Sequence, residues 1–114
     1  MASQFVAILP KKTLLANSFM KDDDIVDLGA YRVLVCDCWV SKPGTGTAQG
    51  KVVLQTSAIK NNEDEWRDIA SWIIDSTGTG GMVEVATFLR FVRWRTDNNV
   101  AGSPVAGISL IAKE

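Results

Sequence analysis

The sequence contains no histidine and only two cysteines among its 114 residues. Histidine is the commonest general base in enzymes and the commonest metal ligand in proteins. Its absence excludes Ser-His-Asp and Cys-His catalysis, and two cysteines alone cannot complete a four-ligand structural zinc site. No other stretch shows the residue spacing that a catalytic or nucleotide-binding motif requires. The sequence therefore predicts a protein that is not an enzyme and that uses no metal or cofactor.

Long apolar runs and an excess of charge are also lacking. No run approaches the roughly 20 apolar residues of a membrane-spanning helix, and the run at residues 5–9 is too short for a signal peptide before Pro10 interrupts it. Twelve basic and thirteen acidic residues give a net charge of -1, whereas nucleic-acid-binding domains are usually strongly basic. We therefore expect a soluble protein made in the cytoplasm, with no membrane contact and with nucleic acid as a disfavoured partner.

Turn signals, by contrast, are abundant. Glycine-rich clusters occupy residues 42–50 and 75–81, and residues 96–104 end in Gly-Ser-Pro, a composition typical of turns and loops. Between them lie short stretches rich in Val, Ile, Trp, Phe and Thr, which favour strands. The predicted strands are residues 4–9, 12–19, 31–41, 50–58, 66–74, 82–87, 88–96 and 105–112. This spacing predicts an all-β protein, an antiparallel β-sandwich of jelly-roll type that forms one domain over residues 1–114.

Residues 64–74 show two competing patterns. The apolar residues that start at Trp66 recur at i, i+3, i+4, i+7 and i+8, which is helical spacing, and acidic residues precede them as they often precede a helix. In a strand, Trp66 and Trp72 share one face, but Asp68 shares it too. The β-rich surroundings favour a strand, and a short helix near 64–74 is the alternative.

The two cysteines lie close together in the predicted strand 31–41. An extended chain places Cys36 and Cys38 on the same face as Leu34 and Val40. Half of a metal site or a redox pair would be the functional interpretation, but the sequence offers no partner ligands. Because free cysteine is among the most buried residue types, we expect both thiols in the core.

The opposite face of the same predicted strand is apolar as well. It carries Tyr31, Val33, Val35 and Trp39. A strand of an antiparallel sheet usually has one face in water, so this second apolar face needs a cover. We interpret it as a contact with another subunit, which makes the protein a homo-oligomer.

The first 27 residues hold two short apolar stretches on either side of Pro10, one containing Phe5 and the other Leu14. Residues 1–27 could form an assembly arm that adds a strand to a neighbouring subunit or to the surface of a partner protein. The alternative is that they form the first two strands of the same sandwich. In the first case Phe5 and Leu14 belong to the assembly interface.

The stretch "FLRFVRWRT" at residues 88–96 alternates aromatic residues with arginines. In a strand, Val92 and Trp94 face the core on the side of Phe88 and Arg90, and the other side carries Leu89, Phe91, Arg93 and Arg95. A binder of single-stranded nucleic acid would use Arg90, Phe91, Arg93 and Arg95 to stack and to neutralise phosphates. The competing interpretation needs only arginine heads paired with acids on neighbouring strands. The balanced charge of the chain favours this second interpretation.

Calcium and sugars are two further ligands for which the sequence offers candidate residues. The acidic runs at residues 21–27 and 61–65 contain candidate calcium ligands, but neither has the alternating spacing of a calcium-binding loop, so we expect solvated loops. A sugar-binding module would stack exposed aromatic rings on its ligand. The candidate rings are Trp39, Trp66 and Trp72.

The order of the elements resembles a known group of proteins. The segment "KVVLQTSAIKNNEDEWRDIASW", a Gly/Thr turn and "FLRFVRWRTDNN" resemble small β-sandwich structural proteins encoded by tailed phages and prophages. The matching residues are Leu54, Gln55, Ser57, Trp66, Asp68, Phe91, Val92, Arg93 and Trp94. The resemblance covers about residues 28–112 and implies a virion component, such as a capsid decoration, cement or head-associated protein whose partner is a capsid or other virion protein.

Overall fold

The computed structural model describes most of the chain. The described residues are 3–13, 20, 25–29, 31–46, 49–97 and 104–113. The strands are β1 (Ser3–Thr13), β2 (Val26–Asp27), β3 (Val33–Lys42), β4 (Gly50–Ser57), β5 (Arg67–Ile74), β6 (Gly81–Val85), β7 (Phe91–Asp97) and β8 (Val105–Lys113). A short 3-10 turn, Glu63–Glu65, precedes β5. Within these residues, no helix is long and apolar enough to cross a membrane.

The strands form two four-stranded antiparallel sheets. Sheet A has the order β1-β8-β3-β6, and sheet B has the order β2-β7-β4-β5. This is the strand order of an eight-stranded jelly roll. The predicted all-β antiparallel sandwich is therefore confirmed.

The core lies between the two sheets and takes alternate residues from β3, β4, β5, β7 and β8. The largest contributions come from Leu34, Cys36, Cys38, Val52, Leu54, Trp72, Ile74, Val92, Trp94, Ile108 and Leu110. Removing an aliphatic side chain of this size from water stabilises the folded state by about 1.5–3 kcal/mol. Cys36 and Cys38 are free thiols within this core, and burial raises the pKa of each to about 12.

Strand β1 corrects the prediction of two separate strands, 4–9 and 12–19, on either side of Pro10. Ser3–Thr13 is one strand, paired with β8, and its register shifts between Ala7 and Leu9 and again between Leu9 and Lys12. A proline is tolerated at an edge strand or at a bulge because no ladder hydrogen bond from its nitrogen is needed there. The predicted strand at 12–19 falls largely on residues 14–19, which lie outside the described residues, as does Leu14.

Strand β5 settles the conflict at residues 64–74, where the short helix is wrong and the strand is confirmed. In the pairing with β4, Leu54 lies opposite Ala70 but Gln55 lies opposite Asp68. Ile69 is therefore an extra residue and forms a β-bulge, which breaks the strict alternation of faces. The apolar residues at helical spacing do not share a buried face, since Ile73 is 43% exposed.

The bulge separates the two tryptophans that simple alternation places together. Trp72 lies in the core between the sheets. Trp66 and Asp68, on the other side of the bulge, lie on the outer face of sheet B, where Asp68 Oδ1 accepts a hydrogen bond from Gln55 Nε2 at 2.9 Å. Sequence alternation alone would have put a carboxylate into the core, and the bulge prevents this.

The end of the predicted strand at 82–87 and the start of the predicted strand at 88–96 are also corrected. Strand β6 ends at Val85 and β7 begins at Phe91. Arg90 therefore belongs to the connection before β7 and not to the strand. The two-residue strand β2 was not predicted, because its pairing with β7 involves only Val26 and Asp27.

Candidate functional site: the outer faces of the sandwich

The outer face of sheet A carries a group of apolar side chains, which we call the apolar outer face. Its members are Val33, Val35, Trp39, Met82 and Ile111. In β3, buried and half-buried residues alternate from Val33 to Trp39, so the side chains that are not in the core point away from sheet B.

Strand register brings these side chains together. Val35 lies opposite Ile111 of β8 on one side and Glu84 of β6 on the other. Trp39 lies opposite Gly107, which has no side chain to cover the indole. On the far side of β8, Phe5 is paired in register with Ile111. An apolar pair on β8 and β3 thus adjoins a carboxylate on β6.

The exposure of this face differs from strand to strand. Val33, Val35 and Trp39 are half-buried, whereas Ile111 is 40% exposed and Met82 is 78% exposed. Polar residues also occur on the face, since Asp37 lies opposite Met82 and opposite Ser109. The surface is therefore an apolar patch that Asp37 interrupts between Val35 and Trp39.

Tyr31 does not belong to this face, contrary to the expectation from alternation. It precedes β3, its backbone N–H donates to the carbonyl of Leu28 at 2.8 Å, and its ring packs against the core. The chain is not extended through Tyr31, so the period of two that relates it to Val33 does not apply.

The outer face of sheet B carries a polar network built around Arg93. The side chain of Arg93 is only 3% exposed. Its Nε donates to Gln55 Oε1 at 2.9 Å, and its two terminal nitrogens donate to the carboxylate of Glu63 at 2.7 and 2.9 Å. Its guanidinium lies over the ring of Trp66, 4.2 Å from the centroid. The hydrogen bonds from Arg93 hold the pKa of Glu63 below its ordinary value.

Arg95 extends the network towards the end of β7. It donates to Asp68 Oδ2 at 3.1 Å and also pairs with Asp97. The hydrogen bond to Asp97 is the main reason why the pKa of Arg95 is raised. Since Asp68 also accepts from Gln55, the side chains form one continuous chain of contacts across β7, β4 and β5.

Arg90 lies apart from this network. It forms an ion pair with Asp27 at 2.8 Å, and its guanidinium is 5.0 Å from the centroid of the Phe91 ring. The pKa of Asp27 is lowered, mainly by its hydrogen bond from Arg90. All three arginines of the predicted basic stretch thus bind carboxylates of the same chain, and Phe91 is half-buried beneath one of them.

Sequence reasoning did not find the partner of Arg93. Glu63 belongs to the acidic run at 61–65, which the sequence predicts to be a solvated loop. Trp66 is interpreted there as a strand or helix residue, a match to the phage proteins and a candidate sugar platform, but not as a partner of Arg93. The sequence does contain one indication of this contact, which is Asn62 before the acidic run. Its side chain accepts a hydrogen bond from the Asp64 N–H at 3.1 Å and caps the 3-10 turn. This turn places Glu63 over sheet B, within reach of Arg93.

The tryptophan positions bear on sugar binding. Trp66 and Trp72 are 8% and 6% exposed, so neither ring can stack on a sugar, and Trp39 is half-buried.

An open depression of about 290 Å³ lies on the outer face of sheet B beside Lys51, Val53, Ser71 and Arg95. Among the described residues, no three Cys, Asp or Glu side chains are placed to hold a metal ion.

Comparisons with known proteins relate the chain to two solved structures. No protein-family model matches the sequence, and no curated protein is significantly similar to it. The SPBc2 prophage-derived protein YomS superposes with a TM-score of 0.57 at 12% identity, over 97% of this chain and 92% of that chain. A Bacillus endospore appendage protein, from a family of disulfide-linked pili, superposes with a TM-score of 0.52 at 11% identity, over 98% of this chain and 86% of that chain. At such identities the likeness shows a shared fold.

Proposed function

We propose that this protein is a non-enzymatic structural component of a virus particle, a capsid decoration, cement or head-associated protein that self-associates and binds a protein shell. It would be made in the host cytoplasm and reside in the virion. The observation that carries the proposal is the apolar outer face of sheet A. The prophage origin of one structural neighbour, YomS, and the match over nearly all of both chains support it.

The apolar outer face has the composition of a protein contact. In an antiparallel sandwich, the face turned away from the core is usually polar. Here Val35 and Ile111 are neighbours on that face and Trp39 lies beyond Asp37, and exposed apolar patches typically mark interaction sites. Tryptophan and methionine are also enriched in the centres of protein interfaces, and Met82 adds an exposed thioether at the margin.

The cysteines indicate that such an assembly is not covalent. The pilus neighbour belongs to a disulfide-linked family, but this chain has only two cysteines. Cys36 and Cys38 are 0% and 1% exposed and face the core. A disulfide between subunits would require opening the sandwich, so we infer association through side-chain and backbone contacts alone.

The test is self-association of the purified protein, measured by analytical ultracentrifugation from micromolar to millimolar concentration. We expect a concentration-dependent oligomer, and we expect Val35→Lys to weaken it by at least about tenfold in Kd, because a charge would be buried in the contact. The matched control is Ile59→Lys, since Ile59 is 49% exposed in the loop after β4 and lies away from sheet A.

Binding to a shell is tested separately. Capsid and portal genes beside the gene for this protein would identify the shell to use, and co-sedimentation with those capsids should then be lost in Val35→Lys and kept in Ile59→Lys. A protein that stays monomeric at millimolar concentration and does not co-sediment with the capsids would contradict the proposal.

A further inference from the structure

The four sheet edges differ in how well they are protected against pairing with another strand. An open edge presents unpaired backbone groups, and proteins usually block it with prolines, lysines, bulges or short length. Strand β1 contains Pro10 and two lysines and has two register shifts. Strand β5 begins with Arg67 and Asp68 and contains the bulge at Ile69, and β2 has only two residues.

Strand β6 lacks a proline, a lysine and a bulge, and its five residues are enough to form a ladder with a second strand. Its sequence is Gly-Met-Val-Glu-Val, with neither proline nor lysine, and its pairing with β3 runs without a register shift from Val85 to Gly81. In the described part of the chain it pairs with β3 alone. Gly81, Met82, Val83 and Glu84 are all exposed. The edge of β6 is thus the open edge of sheet A.

One side chain of β6 faces the core and is still in contact with water. Val83 lies opposite Cys36 in register, so both point between the sheets. Cys36 is 0% exposed, whereas Val83 is 37% exposed, because no strand of the described chain lies beyond β6 in sheet A. An additional strand at this edge would cover Val83 and complete the core at this side of the sandwich.

We propose that the β6 edges of two copies of this chain pair with each other as antiparallel strands around a two-fold axis at Val83. This inference rests on the proposed self-association. It specifies that the first step of that self-association is the pairing of two β6 strands. The pairing joins the two A sheets into one continuous sheet, so that the apolar outer faces of both copies form a single surface through which these dimers associate further and bind the shell.

The sequence of β6 fits its own copy in this register. Val83 meets Val83 of the second copy, Met82 meets Glu84, and Gly81 meets Val85, since paired residue numbers sum to a constant in an antiparallel pair. The two Glu84 carboxylates therefore do not face each other, and each lies beside a methionine. Direct like-charge pairs, which destabilise neighbouring strands, are absent from this arrangement of β6.

Charge variants at Met82 test the register. Met82→Glu places carboxylates opposite Glu84 on both sides of the axis, whereas Met82→Lys places ammonium groups there. Both remove the same 78% exposed side chain from the apolar outer face. We expect the dimer Kd of Met82→Glu to exceed that of Met82→Lys by at least about tenfold. The double variant Met82→Glu/Glu84→Lys exchanges the charges and should restore the Kd to that of Met82→Lys.

Ile59→Glu and Ile59→Lys make the same changes in net charge away from the edge, and their Kd values should agree within about twofold. Hydrogen exchange gives a second measurement, in which the amides of β6 become protected as the protein concentration rises. A wild-type dimer with equal Kd values for Met82→Glu and Met82→Lys overturns the β6 pairing and leaves self-association standing. A wild-type protein that stays monomeric overturns both.

Discussion

The guanidinium of Arg93 lies over the indole ring of Trp66, with its carbon 4.2 Å from the ring centroid. Both side chains are buried, although they lie on the outer face of sheet B and not between the sheets. A desolvated cation over a tryptophan ring is a favourable arrangement, and the carboxylate of Glu63 completes it from the solvent side. The pair is a second, smaller centre of packing outside the main core.

Substitution of either partner should reduce the free energy of unfolding. We expect Trp66→Ala to cost about 3–5 kcal/mol, as for other buried aromatic residues. Arg93→Lys should cost about 1–3 kcal/mol, because lysine keeps the charge but loses the paired hydrogen bonds to Glu63. Urea denaturation measures both values. Arg90→Ala is the control and should change stability much less, because its side chain is 60% exposed. Wild-type stability in Arg93→Lys would show that the stacked geometry is not a source of stability.

Acid should weaken the fold partly through Glu63. Its hydrogen bonds from Arg93 hold the pKa of the folded state below the ordinary value of 4.5. A carboxyl with a lowered folded-state pKa adds stability above its unfolded-state pKa, and the contribution is lost as the pH falls through the folded-state pKa. Stability should therefore decline as the pH is lowered below the ordinary value.

The variant Glu63→Gln should be less stable than the wild type at neutral pH and should show a shallower decline in acid. Part of the decline should remain, because the pKa of Asp27 is lowered by Arg90 and that of Asp75 by Thr77. Urea titrations at a series of pH values measure these slopes. Glu65→Gln, in the same 3-10 turn, is the matched control, and an equal flattening in that variant would argue against a special role of Glu63.

The thiols should be unreactive in the folded protein. The thiolate is the reactive form, and burial raises the pKa of Cys36 and Cys38 from 9.0 to about 12, so the thiolate fraction falls by roughly a thousandfold. We expect no reaction with a thiol reagent at pH 8 until urea is added, when both cysteines react. Oligomers should run as monomers on a gel without reductant. A disulfide-linked dimer on that gel would contradict the non-covalent assembly.

Two glycines allow a matched test of the turn that leads into β6. Gly80 has a φ of +104°, and a Cβ there would lie 2.5 Å from the carbonyl oxygen of Cys38. Gly46 has a φ of +78°, and among the described residues nothing lies within 4 Å of its Cβ position. Gly46→Ala should lower the free energy of unfolding by about 1–2 kcal/mol, because alanine is strained at a positive φ. Gly80→Ala should lower it further, because the added methyl group would also collide with the carbonyl oxygen of Cys38. Thermal unfolding of both variants measures these losses of stability. Equal losses would show that the turn shifts to make room for the methyl group.

The sequence predicts the sandwich because turn-forming residues separate short β-favouring stretches, and because Cys36 and Cys38 share a face with Leu34. Structural details that depend on residues distant in the sequence are harder to predict. The path of β1 through Pro10 depends on its place at a sheet edge, which only the strand order reveals. The end of alternation at Tyr31 depends on a turn that its N–H forms with Leu28.

The candidate surfaces could be predicted only in part, because only some of their residues are related by local spacing. Alternation in β3 is a local property, so Val33, Val35 and Trp39 could be placed on one face from their spacing. The environment of Arg93 depends on Glu63, which is 30 residues away, and on a loop that folds over sheet B. Its partner could not be identified from spacing, since thirteen acidic residues were available.

The bulge at Ile69 also limits how this strand can vary. Before it, Trp66 and Asp68 are fixed by the arginines of β7, and after it, Trp72 and Ile74 are fixed by the interior. The loss of one residue anywhere between these anchors would exchange inside for outside in one half of the strand. We therefore expect homologous chains to accept substitutions at Ile69 but to keep the number of residues between the two tryptophans constant.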